Sequence, residues 1–277
     1  MKFLNLSDAL ILTPAIQFEA FIFNGGEPHI KITEALQTDD KVCITVQARS
    51  SNDIIKVLLA NDALQRMGIS NVELFIPYFP AARQDRLMVT GEPLSVKVFA
   101  GLINGAGFSK VTVFDPHSEV TPALLDRCQT IQNHGFISEV FDRLKAAHQL
   151  TIIAPDAGSA KKIHHLSAAL SCERVVQCDK TRDIKTGHLS APKVFADDLN
   201  GADCLIVDDI CDGGGTFIQL AAVLKQKNAG KLYLAVSHGI FSKGLEVFDT
   251  HFDQIFTTNS FYNGTLTDLL QISKLTY

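Results

Sequence analysis

Between Asp208 and Thr216 the chain concentrates three acids, Asp208, Asp209 and Asp212, and three glycines, Gly213, Gly214 and Gly215. A short apolar run, residues 204–207, leads into this stretch, and an apolar-periodic segment, residues 217–227, leaves it. The order predicts a buried strand, an acidic turn, a glycine loop and a helix N-terminus. Each part suits a sugar phosphate. Glycines let the backbone come close to an anion and adopt positive φ. The free N–H groups and partial positive charge of a helix start favour phosphate. Acids at a strand end can accept hydrogen bonds from ribose hydroxyls or hold a hydrated Mg²⁺. The plainer reading is a tight strand-to-helix turn with a solvated acidic rim. The combined spacing favours the anion site.

A second stretch, residues 77–86, reads PYFPAARQDR and follows an expected strand at residues 72–76. Its two guanidinium groups, Arg83 and Arg86, can grip polyphosphate oxygens bidentately, with Gln84 and Asp85 as polar positioners. A surface Arg–Asp pair of small energetic weight has the same spacing, so the residues alone leave both readings open.

The elements that must position these groups follow from periodicity and breakers. Strands are expected at residues 9–13, 18–23, 29–33, 41–47, 72–76, 111–114, 151–154, 174–177, 231–237 and 254–257. Helices are expected at residues 51–67, 94–106, 137–145 and 160–170. Ser51 or Asn52 is expected to cap the first and Gly68 to end it. Strands alternating with helices predict an α/β fold: two Rossmann-like domains with parallel sheets covered on both faces. Ligands in such sheets bind beyond the carboxyl ends of the strands, where both charged stretches fall. Apolar periodicity lapses near residues 129–134, which predicts an N-terminal α/β domain at 1–130 and a C-terminal one at 131–277. A duplication of two similar halves fits this rhythm.

At 277 residues, 46% of them hydrophobic, the chain can bury one large or two ordinary cores. A formal net charge of −5 argues against a broad nucleic-acid surface. No apolar run reaches membrane-spanning length, and the N-terminal residues lack the apolar core of a signal peptide. The six cysteines have no CxxC spacing, so they are expected to be reduced core residues of a cytoplasmic protein.

The acidic glycine loop resembles V-D-D-I-x-D-x-G-G-T, the phosphoribosyl-pyrophosphate (PRPP) loop of phosphoribosyltransferases and ribose-phosphate diphosphokinases. Residues 77–86 resemble P-Y-x-x-Y-A-R-Q-D-R, a motif of the diphosphokinases alone. Further segments resemble that family in order. Phe23-Asn-Gly-Gly-Glu27 is similar to F-S-D-G-E, which binds adenine, commonly across a subunit interface. Val113-Phe-Asp-Pro-His117 is similar to the D-L-H segment, whose histidine helps hold the ATP-bound Mg²⁺. Ala154-Pro-Asp156 is similar to S-P-D, whose acid shares that role. Asp179-Lys-Thr-Arg182 is similar to D-K-R-R at the start of a mobile catalytic loop. His238-Gly-Ile-Phe-Ser242 is similar to T-H-G-x-F-S. Taken singly, His117 would pass for a structural histidine, and Lys180 with Arg182 for a solvated face; their joint order is what carries the likeness.

The resemblance implies diphosphoryl transfer from ATP to the anomeric hydroxyl of a ribose 5-phosphate unit. It implies Lys180 and Arg182 as catalytic cations and Phe23, Glu27, Arg83, Gln84, Asp85, Arg86 and His117 at ATP. It further implies His117 and Asp156 at Mg²⁺, and Asp208, Asp209, Asp212, Gly213, Gly214, Gly215 and Thr216 at the acceptor. A homo-oligomer, either a dimer or a hexamer built of dimers, is implied too. The chain is shorter than typical members. Gly25 stands where the family carries an adenine-reading acid, and residues 118–124 replace the usual Q-x-Q-G-F-F. Gly213 replaces the threonine of D-T-G-G-T, which is expected to open space on the 5-phosphate side. That space suggests a second acceptor, ADP-ribose, as in NAD⁺ rebuilding by short members of the family. A non-catalytic regulatory subunit is the non-enzymatic alternative.

Overall fold

The computed structural model describes residues 1–145, 150–179 and 192–277. The chain divides into two compact units, Met1–Gln132 with Asn259–Phe261 and Lys274–Tyr277, and Asn133–Thr258 with Tyr262–Ser273.

The first unit comprises β1 (Lys2–Asn5), β2 (Phe18–Ile22), β3 (Pro28–Ile32), β4 (Val42–Thr45), α1 (Ser51–Arg66), β5 (Val72–Phe75), α2 (Ser95–Gly105), β6 (Lys110–Phe114), α3 (Val120–Leu124) and β7 (Cys128–Ile131). Five strands form a parallel sheet in the order β1-β4-β5-β6-β7, while β2 and β3 make a separate antiparallel hairpin. Every residue of β4 is buried, as a strand covered on both faces requires. The helix α1 buries Ile54, Val57, Ala60, Asn61 and Leu64, one stripe at three-to-four-residue spacing. Its start is fixed by Asp53, whose Oδ2 accepts from Ser50 N (2.8 Å) and Ser50 Oγ (2.9 Å). The cap is therefore Ser50, one residue before the expected pair. Gly68, at φ +84°, turns the chain away, as expected.

The expected strand at residues 9–13 is a loop. Asn5 takes both backbone groups of Leu12 (Nδ2 to O 2.9 Å, N to Oδ1 3.1 Å), and Asn259 Nδ2 donates to Ala9 O at 2.7 Å. Side chains, one of them from the far end of the chain, thus replace a strand ladder, while Leu10 is still fully buried. The strand forms earlier, at β1. Where periodicity lapses, β7 adds a partly exposed edge strand whose pattern is too weak to read.

The second unit comprises α4 (His134–Lys145), β8 (Leu150–Ala154), α5 (Ala160–Ala169), β9 (Val175–Asp179), β10 (Lys193–Val194), β11 (Asp203–Cys211), α6 (Gly215–Gln226), β12 (Leu232–Gly239), β13 (Gln254–Thr258) and β14 (Leu270–Ser273). Its sheet runs β10-β9-β8-β11-β12-β13-β14, parallel except for the β9–β10 pair. The middle strands β8 and β12 are buried along their whole length.

The last four residues do not join the second unit, as a domain at 131–277 would require. Leu275 N donates to Asn259 Oδ1 (2.7 Å), and the Tyr277 ring packs 6.0 Å from Phe3 and 5.2 Å from Phe75, its hydroxyl donating to Glu73 Oε2. All six cysteines are free. Burial pushes the thiols of Cys43, Cys178 and Cys204 up to about 12. Among the described residues no helix is long and apolar enough to cross a membrane.

Candidate functional site

In the second unit β8 connects through α5 to β9 on one side, and β11 connects through α6 to β12 on the other. The connections therefore reverse between β8 and β11, and the crevice beyond the carboxyl ends at such a reversal is where open α/β sheets take ligands. Asp156 follows β8 there. Asp208 and Asp209 come from β11, which runs four residues beyond the expected strand end at 207, so both acids lie within the strand, with Asp208 opposite Val236 of β12. Asp209 N donates to Asp208 Oδ1 at 3.0 Å. The carboxyl of Asp208 is pushed well above the usual carboxylate range, first by desolvation, then by Asp209 beside it and Asp156 across the crevice.

The glycine loop follows. Gly214 sits at φ +77° and is the N-cap of α6; a Cβ there would overlap the Phe248 ring. Conformation and space both demand glycine. No side chain caps α6, so the N–H groups of its first turn face the loop, and Thr216 lies in that turn. Asp212 is tied down by Ser242, whose Oγ donates to its Oδ1 at 2.6 Å. Position 213 does not open the expected space. A Cβ there would lie 3.3 Å from Cδ and from Cε of Lys243, whose stem fills the place.

In the first unit the arginine stretch leaves the carboxyl end of β5, and His117 leaves that of β6, the neighbouring strand. Buried Phe79 and Ala82 anchor the loop, and Gln84 N donates to Ala81 O at 2.9 Å. Arg83 and Arg86 are exposed, whereas the Asp85 side chain is only 8% exposed. Asp85 Oδ1 is buried without a hydrogen bond and lies 3.4 Å from Arg86 Nε. Asp115, two residues before His117, is buried at φ +39°, and its N–H donates to Ile131 O at 2.8 Å. Phe23 and Glu27 close the β2–β3 hairpin, with Phe23 N donating to Glu27 O at 2.9 Å. Position 25 is covered, because a Cβ on Gly25 would lie 2.5 Å from Glu27 Oε2. A carboxylate therefore stands over the place where the family pattern has an acid.

Lys180 and Arg182 lie outside the described residues. Among the described residues no three His, Cys, Asp or Glu side chains converge as a ligand set for one ion. Mg²⁺ keeps several waters and takes one or two carboxylates plus substrate phosphates, so it does not need three protein ligands, and the carboxylates near this crevice are Asp156, Asp208 and Asp209. Asp156 is also structural, its Oδ1 accepting from Ser159 N at 2.9 Å. Sequence reasoning passed over Lys243 and the placement of Glu27 over Gly25. For Glu27 the available signal was its place in the motif in which Gly25 replaces an acid; Lys243 lies beyond the next strand from Gly213, and nothing local in the sequence marks it.

The family model described as the N-terminal domain of ribose phosphate pyrophosphokinase matches residues 8–107, and the phosphoribosyl transferase domain model matches residues 126–265. A ribose-phosphate pyrophosphokinase of Mycoplasma genitalium is 30% identical over 248 residues, covering 86% of this chain and 73% of the relative. One from Mycoplasmopsis pulmonis is 29% identical over 259 residues, covering 88% and 77%. The phosphoribosylpyrophosphate synthetase of Mycobacterium smegmatis shares the fold, with a TM-score of 0.81 at 20% identity over 94% of this chain and 86% of that one.

Proposed function

The chain belongs to the ribose-phosphate pyrophosphokinase family, and from that premise we propose that it transfers the terminal diphosphate of ATP to the anomeric hydroxyl of ribose 5-phosphate, giving PRPP and AMP. It is a diphosphotransferase. The observation that supports the acceptor side is the placement of Asp208, Asp209 and the uncapped start of α6 at the reversal of the second sheet.

Asp208 and Asp209 accept hydrogen bonds from the ribose hydroxyls, while the 212–216 loop and the first N–H groups of α6 hold the 5-phosphate. Held at both ends, the sugar presents its anomeric oxygen in line with the β-phosphorus, so positioning supplies much of the rate. Arg83 and Arg86 grip the polyphosphate, Gln84 and Asp85 set their geometry, and Phe23 with Glu27 meets the adenine. The bond from the β-phosphorus to the AMP oxygen breaks as the bond to the anomeric oxygen forms. Lys180 and Arg182 stabilise the charge on the transferring group. Mg²⁺ would neutralise charge on the phosphoryl oxygens, and His117 and Asp156 are the residues assigned to it. We place this activity in the cytoplasm and in a homo-oligomer, with neither nucleic acid nor membrane as partner.

The test is AMP release from Mg-ATP with ribose 5-phosphate or ADP-ribose offered separately. The Lys243 stem over Gly213 favours the smaller acceptor. AMP formed with ribose 5-phosphate supports the reading. AMP formed only with ADP-ribose moves it to that acceptor. Silence in both arms with nucleotide still bound would make the chain a regulatory subunit.

A further inference from the structure

We propose that Lys243 supplies the cation that holds the acceptor's phosphate, its stem taking the place that a side chain at position 213 would fill. The inference rests on the glycine loop being the acceptor's phosphate site, and it names a charged side chain that completes that site.

A Cβ on Gly213 would lie 3.3 Å from Cδ, 3.3 Å from Cε and 3.5 Å from Cγ of Lys243, so three successive carbons of the stem lie along the loop. The ammonium is one bond of about 1.5 Å beyond Cε, which keeps it within roughly 4.8 Å of that point. The backbone sets this placement. Beyond β12, Ile240 N donates to Cys211 O (2.8 Å) and Ser242 N to Asp212 O (3.2 Å), and Ser242 Oγ reaches Asp212 Oδ1 (2.6 Å). Phe241 packs edge-on against Phe248, the ring behind Gly214, with centroids 5.8 Å apart. The segment before Lys243 is thus joined to the glycine loop by hydrogen bonds and by a shared aromatic wall, and Gly244 at φ +80° turns the chain away after it.

Charge supplies the second argument. The loop offers N–H dipoles, but its ionisable groups are acids: Asp208, Asp209 and Asp212. The helix start supplies only a partial positive charge, so a phosphate dianion brought among these acids gains from a full counter-charge beside it. Lys243 is exposed and makes no hydrogen bond or ion pair among the described residues, so none of them competes for its ammonium. A lysine on a flexible stem acts as a point charge, which predicts salt-sensitive phosphate affinity.

The experiment compares the wild-type chain with Lys243→Gln and Lys243→Arg. Glutamine keeps part of the stem and drops the charge, and the site is exposed, so both variants should fold. Loss of one charge-assisted contact is expected to raise KM for ribose 5-phosphate about tenfold or more, with kcat and the KM for ATP within about threefold. Lys243→Arg should keep the wild-type KM within about threefold, and high salt should narrow the gap between wild type and Lys243→Gln. An unchanged acceptor KM in Lys243→Gln overturns the inference and leaves the proposed function standing. If the wild type releases no AMP with ribose 5-phosphate, it is the proposed function that fails. Calorimetric titration with ribose 5-phosphate then decides: weaker binding by Lys243→Gln supports the inference, and equal binding, or none by either protein, overturns it.

Discussion

In the loop at residues 77–86, the charged groups stand at the ends of long exposed side chains, over an anchor of buried Phe79 and Ala82. In the loop at residues 208–216, the groups proposed to meet the acceptor's phosphate are mainly backbone, set by a strand, a left-handed glycine and a helix start. The first loop separates chemistry from fold, so its arginines can be removed without disturbing the core. The second makes the two inseparable, because the atoms that would hold the ligand also carry the chain from β11 into α6.

The largest effect should come from breaking the backbone side. Gly214→Ala places a Cβ into the Phe248 ring at a positive φ, and is expected to cost about 2–4 kcal/mol in a urea melt and to abolish acceptor binding. Adding Phe248→Leu should recover part of the stability. If Gly214→Ala alone melts like wild type, the loop is less constrained than its geometry requires.

Next is Asp208→Asn, expected to lower kcat/KM for the acceptor roughly 100-fold. Its stability should move the other way. The raised pKa of Asp208 means the folded protein favours the protonated carboxyl, so this contribution is present at low pH and is lost as pH rises through the raised value. Without metal, Asp208→Asn should therefore melt above wild type at neutral pH, and the two should converge below about pH 4. A lower melting point at neutral pH would show that the carboxylate is stabilised by contacts that outweigh its crowding.

On the side-chain loop, Arg83→Ala or Arg86→Ala should raise KM for ATP about tenfold, as loss of a charge-assisted contact to phosphate does. Melting temperature should hold, and a fall of several degrees would erase the contrast between the loops. The smallest expected change is Glu27→Gln, which should raise KM for ATP about threefold if the carboxylate over Gly25 reads adenine. An unchanged KM for ATP but a changed preference between ATP and GTP would sharpen its role to base choice.

Much of this was legible in the sequence because it is local. The order of acids, glycines and helix start between Asp208 and Thr216 is written in adjacent residues, and so are the alternating strands and helices of both parallel sheets. What escaped depends on residues distant in sequence. Phe248, which fixes Gly214, and Lys243, which fills the place beside Gly213, come from beyond the next strand. Residues 9–13 read as a strand from their apolar pattern and form a loop because side chains, including Asn259, take their backbone groups. A missing side chain at 213 reads as an opening until its neighbour is placed.

Diphosphoryl transfer itself is tested most directly by following label from ATP onto ribose 5-phosphate. With [β-³²P]ATP the label should appear in an acid-labile ribosyl product, and with [α-³²P]ATP it should remain wholly in AMP. Transfer of the γ-phosphate alone, with ADP as the second product, would contradict the account.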